Sequence, residues 1–215
     1  MTVTDVNVVK SAIFERPDDA NKGTLGSLLC VCGSYGMAGA AVMSAKGALR
    51  TGIGLAKCAL PRSIYPIVAQ TILESVYYSL NENADGRISK VNVPFLVSES
   101  CKSSATLVGC GLGVCDDTLK IVFSLIENST TPLVLDADAL NCVAKQPEIL
   151  LRKKAPIIIT PHPGEMSRLT GLATPLVNAE RERVALDFAQ KYGVVTVLKG
   201  AGTVIASPNG VTCGR

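Results

Sequence analysis

Ile157, Ile158 and Ile159 stand in a row between Pro156 and the pair Thr160-Pro161. Three consecutive β-branched residues suit a strand buried on both faces, as in a parallel sheet, and Pro161 withholds the donor that the ladder would need next. Pro163 suits a first helical turn, with Met166 and Leu169 following at helical spacing. His162, the sole histidine of the sequence, is therefore predicted between a strand's carboxyl end and a helix's amino end. Open α/β sheets bind ligands at such places, and free amides there favour anions. For this stretch taken alone, the competing reading is a surface histidine in a turn.

The same strand, loop and helix order recurs along the chain. Leu25 to Val31 reads as a strand that leaves through Gly33, Gly36 and Gly39 into a small-residue helix, Ala41 to Leu49. That glycine spacing is neither the dinucleotide fingerprint nor a P-loop, so it fits close ligand approach and tight helix packing equally well. Leu55 to Leu60 and Ile72 to Tyr78 read as strands, with a short helix or loop over Pro61 to Ala69. Ala105 to Cys110 opens into a second glycine exit, Gly109 to Gly113. Asp116 to Asn128 is an amphipathic helix capped by Asp116 or Asp117. Pro132 to Leu135 ends in Asp136-Ala137-Asp138-Ala139-Leu140-Asn141, two carboxylates and an amide suited to Mg²⁺ or a substrate hydroxyl; capping the next helix is the alternative for Asp138. Thr174 to Tyr192 reads as one helix closed by Gly193. Val194 to Leu198 and Val204 to Ala206 make a hairpin around Lys199, Gly200, Ala201, Gly202 and Thr203, whose lysine can reach a phosphate. Val8 to Phe14 suggests a further short helix, and the last strand, Val211-Thr212, is expected to leave an unpaired sheet edge. Strands and helices alternating in this way predict a three-layer α/β/α domain over residues 1–215 with a mostly parallel sheet. The glycine and carboxylate exits should then gather along one edge.

Hydrophobic residues at 47% and charged residues at 18% argue against disorder. A net charge of +3, with 4% aromatics and no tryptophan, gives no footing for nucleic acid. The eight cysteines are scattered singly through apolar runs, outside any zinc spacing, which points to a reducing cytoplasm. No leader pattern or membrane-spanning run is present, so a soluble intracellular protein is expected.

The succession N-K-G-T-L-G at 21–26, G-S-x-x-M-A-G-A at 33–40, G-C-G-L-G at 109–113, L-D-A-D-A-L-N at 135–141, T-P-H-P-G-E at 160–165 and K-G-A-G-T at 199–203 resembles the ADP- or ATP-dependent NAD(P)H-hydrate dehydratases, repair enzymes of ribokinase-like fold. The resemblance implies phosphorylation by ADP or ATP of the hydroxyl of hydrated NADH or NADPH (NADHX, NADPHX), then elimination of phosphate. It places Ala40, Gly113 and His162 on the hydrated dinucleotide and Lys199 to Thr203 on the adenine nucleotide. Asp136, Asn141 and Glu165 would support Mg²⁺ or its waters. Homo-oligomers are common in the family. Its G-G-S-G-D stretch, whose aspartate is the catalytic base, has no counterpart in these 215 residues, so the chain is expected to be a truncated form with weak nucleotide binding and little turnover. Its fused epimerase domain has none either. A ribokinase-like kinase of a small hydroxylated metabolite and a non-enzymatic nucleotide-binding module are the competing readings. The lack of G-x-G-x-x-G after a strand disfavours a Rossmann dehydrogenase.

Overall fold

The computed structural model describes residues 2–3, 18–21 and 23–213. The expected helix at Val8 to Phe14 lies outside them. From the amino end come β1 (Thr2–Val3), β2 (Ser27–Val31), α1 (Ala38–Arg50), β3 (Leu55–Pro61), α2 (Tyr65–Thr71) and β4 (Val76–Leu80). The middle of the chain forms α3 (Val93–Cys101), β5 (Ala105–Val108), α4 (Asp116–Asn128), β6 (Leu133–Leu135), α5 (Asp138–Val143) and β7 (Ile157–Ile159). The remainder forms α6 (Pro163–Thr170), α7 (Thr174–Ala179), α8 (Arg181–Tyr192), β8 (Val195–Leu198), β9 (Val204–Ser207) and β10 (Gly210–Cys213).

These strands make one sheet in the order β1-β10-β9-β8-β7-β6-β5-β2-β3-β4. From β4 to β8 every neighbouring pair is parallel, and β9 turns back antiparallel between β8 and β10. The chain builds outward from β2 to β3 and β4, returns to β5 on the other side of β2, and proceeds through β6 and β7 to β8. The β2–β5 junction is thus a topological switch point, where loops leave in opposite directions and open a crevice. The last strand is not the sheet edge that the sequence suggested, because β1 pairs with it in parallel.

Alternation along the strands separates two cores. Leu29, Val31, Val108, Leu133, Leu135, Ile157, Ile159 and Leu198 pack against α3 to α8, while Cys30, Cys32, Cys58 and Leu60 pack against α1 and α2. Each large aliphatic side chain removed from water in this way contributes about 1.5–3 kcal/mol. On the α1 side the register runs from Cys30 through Leu107, Val134 and Ile158 to Val195. Beyond α1 this row is only half-buried, and Ile205 of β9 is 37% exposed. Among the described residues no helix is long and apolar enough to cross a membrane.

Three local expectations shift. Cys115, not an aspartate, is the N-cap of α4; Asp117 instead accepts hydrogen bonds from Asn83 Nδ2 (2.9 Å) and the Lys90 amide (3.3 Å). The predicted helix over 174–192 breaks at Glu180, whose backbone leaves the helical region (φ −125°, ψ 41°) while its carboxylate pairs with Arg183. The strand read at Ile72 to Tyr78 lies instead at Val76–Leu80, because Ile72 ends α2 and is buried beneath it.

Candidate functional site

Five strand exits meet along one edge, as the alternation predicted. At the switch point the loops after β2 and β5 are tied together: the Gly33 amide donates to Cys110 O and Ser34 Oγ donates to Gly111 O, both at 2.8 Å. Gly111 is required there, since at φ 66° a Cβ would stand 2.7 Å from Ala40 Cβ. Ala40, in the first turn of α1, therefore sits directly against the second glycine exit, and Gly113 lies two residues further along it. The first turn of α1 carries no side-chain cap, and the Ala40 amide donates to Met37 O at 3.2 Å.

Asp136 and Asp138 flank Ala137, which takes φ 50° and ψ −116°, a costly backbone state for a residue with a Cβ. The twist sends the two carboxylates to different tasks. Asp138 Oδ2 accepts the Gly113 amide at 2.8 Å, and its Oδ1 accepts Asn141 Nδ2 at 3.3 Å, so it holds the glycine loop and makes no cap. Asp136 Oδ1 accepts Lys199 Nζ at 2.7 Å, a bond that reaches from β8's exit across β7 to β6's. Half-burial works against the Asp136 charge, but the Lys199 ammonium and the Thr160 hydroxyl outweigh it and hold the carboxyl below its usual range. Lys199 is fixed at its backbone too, donating to Pro161 O at 2.8 Å.

His162 is the N-cap of α6. Its Nδ1 accepts the amides of Gly164 (3.0 Å) and Glu165 (3.3 Å), which leaves the ring proton on Nε2. Glu165 answers in kind: Oε2 accepts the His162 amide at 2.8 Å and Oε1 lies 3.3 Å from Nε2. The histidine ring is half-exposed and the glutamate is buried, so the pair is a capping box with one face toward solvent. Glu165→Ala should cost about 1–3 kcal/mol by stranding the His162 amide, and Glu165→Gln, which keeps an acceptor, should cost less; thermal melts of the two variants check this.

Of the three oxygen donors expected for Mg²⁺, the structure commits each to a different partner. Asn141 Oδ1 accepts Arg168 Nε at 2.8 Å, Glu165 serves its own helix, and Asp136 faces Lys199. Among the described residues no group of three or more His, Cys, Asp and Glu side chains is placed to hold a metal. A single carboxylate is still enough where phosphates and waters complete the shell, as Mg²⁺ prefers. Asp136, beside the Lys199 ammonium, is the carboxylate of the three whose partner is a side chain at another strand exit.

Two arginines escaped the sequence reading. Arg87, from the turn after β4, lies so close over Gly113 that a Cβ there would overlap its Nε. Arg181 lies behind Gly200 in the hairpin turn. Arg87 leaves with the β4 exit and Arg181 opens α8, and neither stands in a glycine or carboxylate motif.

A family model described as NAD(P)H-hydrate dehydratase matches residues 28–213. The bifunctional NAD(P)H-hydrate repair enzyme Nnr of Thermofilum pendens is 40% identical over 195 residues, covering 91% of this chain and 37% of that protein. The chain spans a little over a third of the length of such bifunctional relatives. Among solved structures, the ADP/ATP-dependent NAD(P)H-hydrate dehydratase of Bacillus subtilis, co-crystallised with ATP/Mg²⁺, superposes with a TM-score of 0.79 at 29% identity, over 97% of this chain and 70% of that one. A ribokinase-like superfamily protein of Enterococcus faecalis superposes with a TM-score of 0.83 at 18% identity, over 100% and 71%. The latter shows the ribokinase-like fold alone.

Proposed function

The chain belongs to the NAD(P)H-hydrate dehydratase family, and from that premise we propose that its strand-exit edge binds ADP or ATP with Mg²⁺ together with NADHX or NADPHX. The reaction served is phosphorylation of the hydrate's hydroxyl followed by loss of phosphate. The observation that carries this reading is the 2.7 Å bond from Lys199 to Asp136, which puts a cation for phosphate and a carboxylate for metal side by side above parallel strands. Phosphoryl transfer asks a protein chiefly for positioning and charge neutralisation, and this pair supplies both.

In this reading Lys199 takes a phosphate oxygen, and Gly200 to Thr203 line the nucleotide. Asp136 would hold the metal, and Asn141 and Glu165 would support its waters. Bound Mg²⁺ would neutralise the charge of the transferring phosphate. Ala40, Gly113 and His162 line the hydrated dinucleotide, the histidine offering its Nε2 proton from the exposed face of the capping box. The seven cysteines whose side chains are described are all free, which supports a cytoplasmic site of action. A homo-oligomeric state is proposed on the family's habit and is read by light scattering.

The test is calorimetric titration of the purified chain with ADP, ATP and NADHX, with and without Mg²⁺, beside recovery of the near-ultraviolet absorbance of NADH. Binding of both nucleotide and hydrate is expected. Phosphorylation of a vitamin-like alcohol in place of NADHX would favour the small-molecule kinase. Binding of neither nucleotide nor hydrate would overturn the proposal.

A further inference from the structure

The turn between β8 and β9 has little of its own to hold it. Gly200, Ala201 and Gly202 are exposed, and within the turn Thr203 Oγ1 donates to Gly200 O at 3.2 Å. Arg181, the first residue of α8, stands behind it. Its Nη2 donates to the carbonyl of Leu198, the last residue of β8, at 2.8 Å. Its guanidinium lies flat enough against Gly200 that a Cβ there would be 2.9 Å from both Nη1 and Nη2. Its Nε is buried without a hydrogen-bond partner. A buried donor left unmade is a cost that an apolar side chain in the same place would avoid, so packing alone does not account for an arginine.

The geometry points to Arg181 as the positioning residue of the Lys199–Thr203 turn. It clamps the turn by the bond to Leu198 and by occupying the space that Gly200 leaves, and it adds a second positive charge behind Lys199. A loop fixed before its ligand arrives does not spend binding energy on becoming ordered, and anions are drawn to paired cations. The inference rests on the assignment of this turn to the adenine nucleotide.

Two measurements on the full chain test it. The first, hydrogen–deuterium exchange of the ligand-free protein, needs no nucleotide: Arg181→Ala should speed exchange of the amides in the turn about fivefold or more while β7 and the middle of α8 keep their protection. The second is titration with ADP and ATP, where Arg181→Ala should weaken binding about tenfold or more and leave NADHX affinity within about twofold. Arg181→Lys, which keeps charge but not the planar fork, should recover less than half of the loss, and millimolar guanidinium ion should restore binding to Arg181→Ala. Unchanged exchange in the turn, or unchanged nucleotide affinity in Arg181→Ala, overturns the proposal. Equal weakening of NADHX binding does so too, since that marks general destabilisation. A parent chain that binds neither nucleotide overturns the functional assignment, and the exchange result then judges the clamp by itself.

Discussion

Gly109→Ala should cost about 3 kcal/mol or more and lower the melting temperature by roughly 10 °C. Gly109 takes φ 124°, and a Cβ would overlap the Asp136 carbonyl oxygen and stand 2.6 Å from Ala139 Cβ. Both obstacles are firmly held, one by the backbone that also carries Ala137 at φ 50° and the other in the first turn of α5. The methyl group can be accommodated only by parting the exits of β5 and β6, and Asp136 and Asp138 would move with them. Ligand binding should therefore fall with stability. Gly47→Ala is the matched control: Gly47 is exposed within α1 with nothing near its missing Cβ, so the change should stabilise by about 0.5–1 kcal/mol. Equal melting temperatures for the two variants would contradict the close approach of the two exits.

Lys199→Met should weaken ADP and ATP binding about ten- to a hundredfold, the worth of a charge-assisted hydrogen bond of about 1.5–3 kcal/mol. Stability should hardly change, because the bridge to Asp136 is partly open to solvent and such pairs contribute about 0–1 kcal/mol. Asp136→Asn separates the two roles of the pair. It frees the Lys199 ammonium, so Mg²⁺-free nucleotide should bind at least as well as before, while the gain from added Mg²⁺ should disappear. The pH dependence has a definite sign. A carboxyl held below its ordinary value of 3.8 contributes its bridge fully above that pH and loses it as the pH falls toward the lowered value. The bridge's contribution to stability should therefore be flat from neutrality down to about pH 5, as pH-dependent melts would show. If Lys199→Met binds nucleotide as the parent does, the hairpin is not the phosphate site.

Much of this was legible in the chain because it rests on patterns that local physics enforces. The three isoleucines of β7 read as a doubly buried strand, and Asp116–Asn128 shows its apolar face at helical spacing. The glycine and carboxylate exits converge because parallel strands leave a sheet on one side. What was not legible depends on contacts distant in sequence. Asp117 fails to cap α4 because Asn83 and Lys90 occupy its carboxylate. The three expected metal donors looked equivalent as residue types, yet only the fold shows Asn141 engaged by Arg168 and Glu165 by the His162 amide. Arg87 and Arg181 carry no motif; each matters because a glycine elsewhere leaves room for its guanidinium.

The switch point between β2 and β5 also bears on how the molecule comes together in time. β2, β3 and β4 pair with their neighbours in sequence, and so do β5, β6, β7 and β8, so each block can form from short-range crossovers. The two blocks meet at one ladder, Leu28 to Val31 against Ala105 to Val108. Contacts of long sequence separation form late in folding and set its rate. The crevice needs both blocks, because its Gly33–Cys110 and Ser34–Gly111 links join one to the other. Conversely, a fluctuation that opens only that ladder would dissolve the Gly33–Cys110 and Ser34–Gly111 links and empty the binding edge while most of both cores stayed intact.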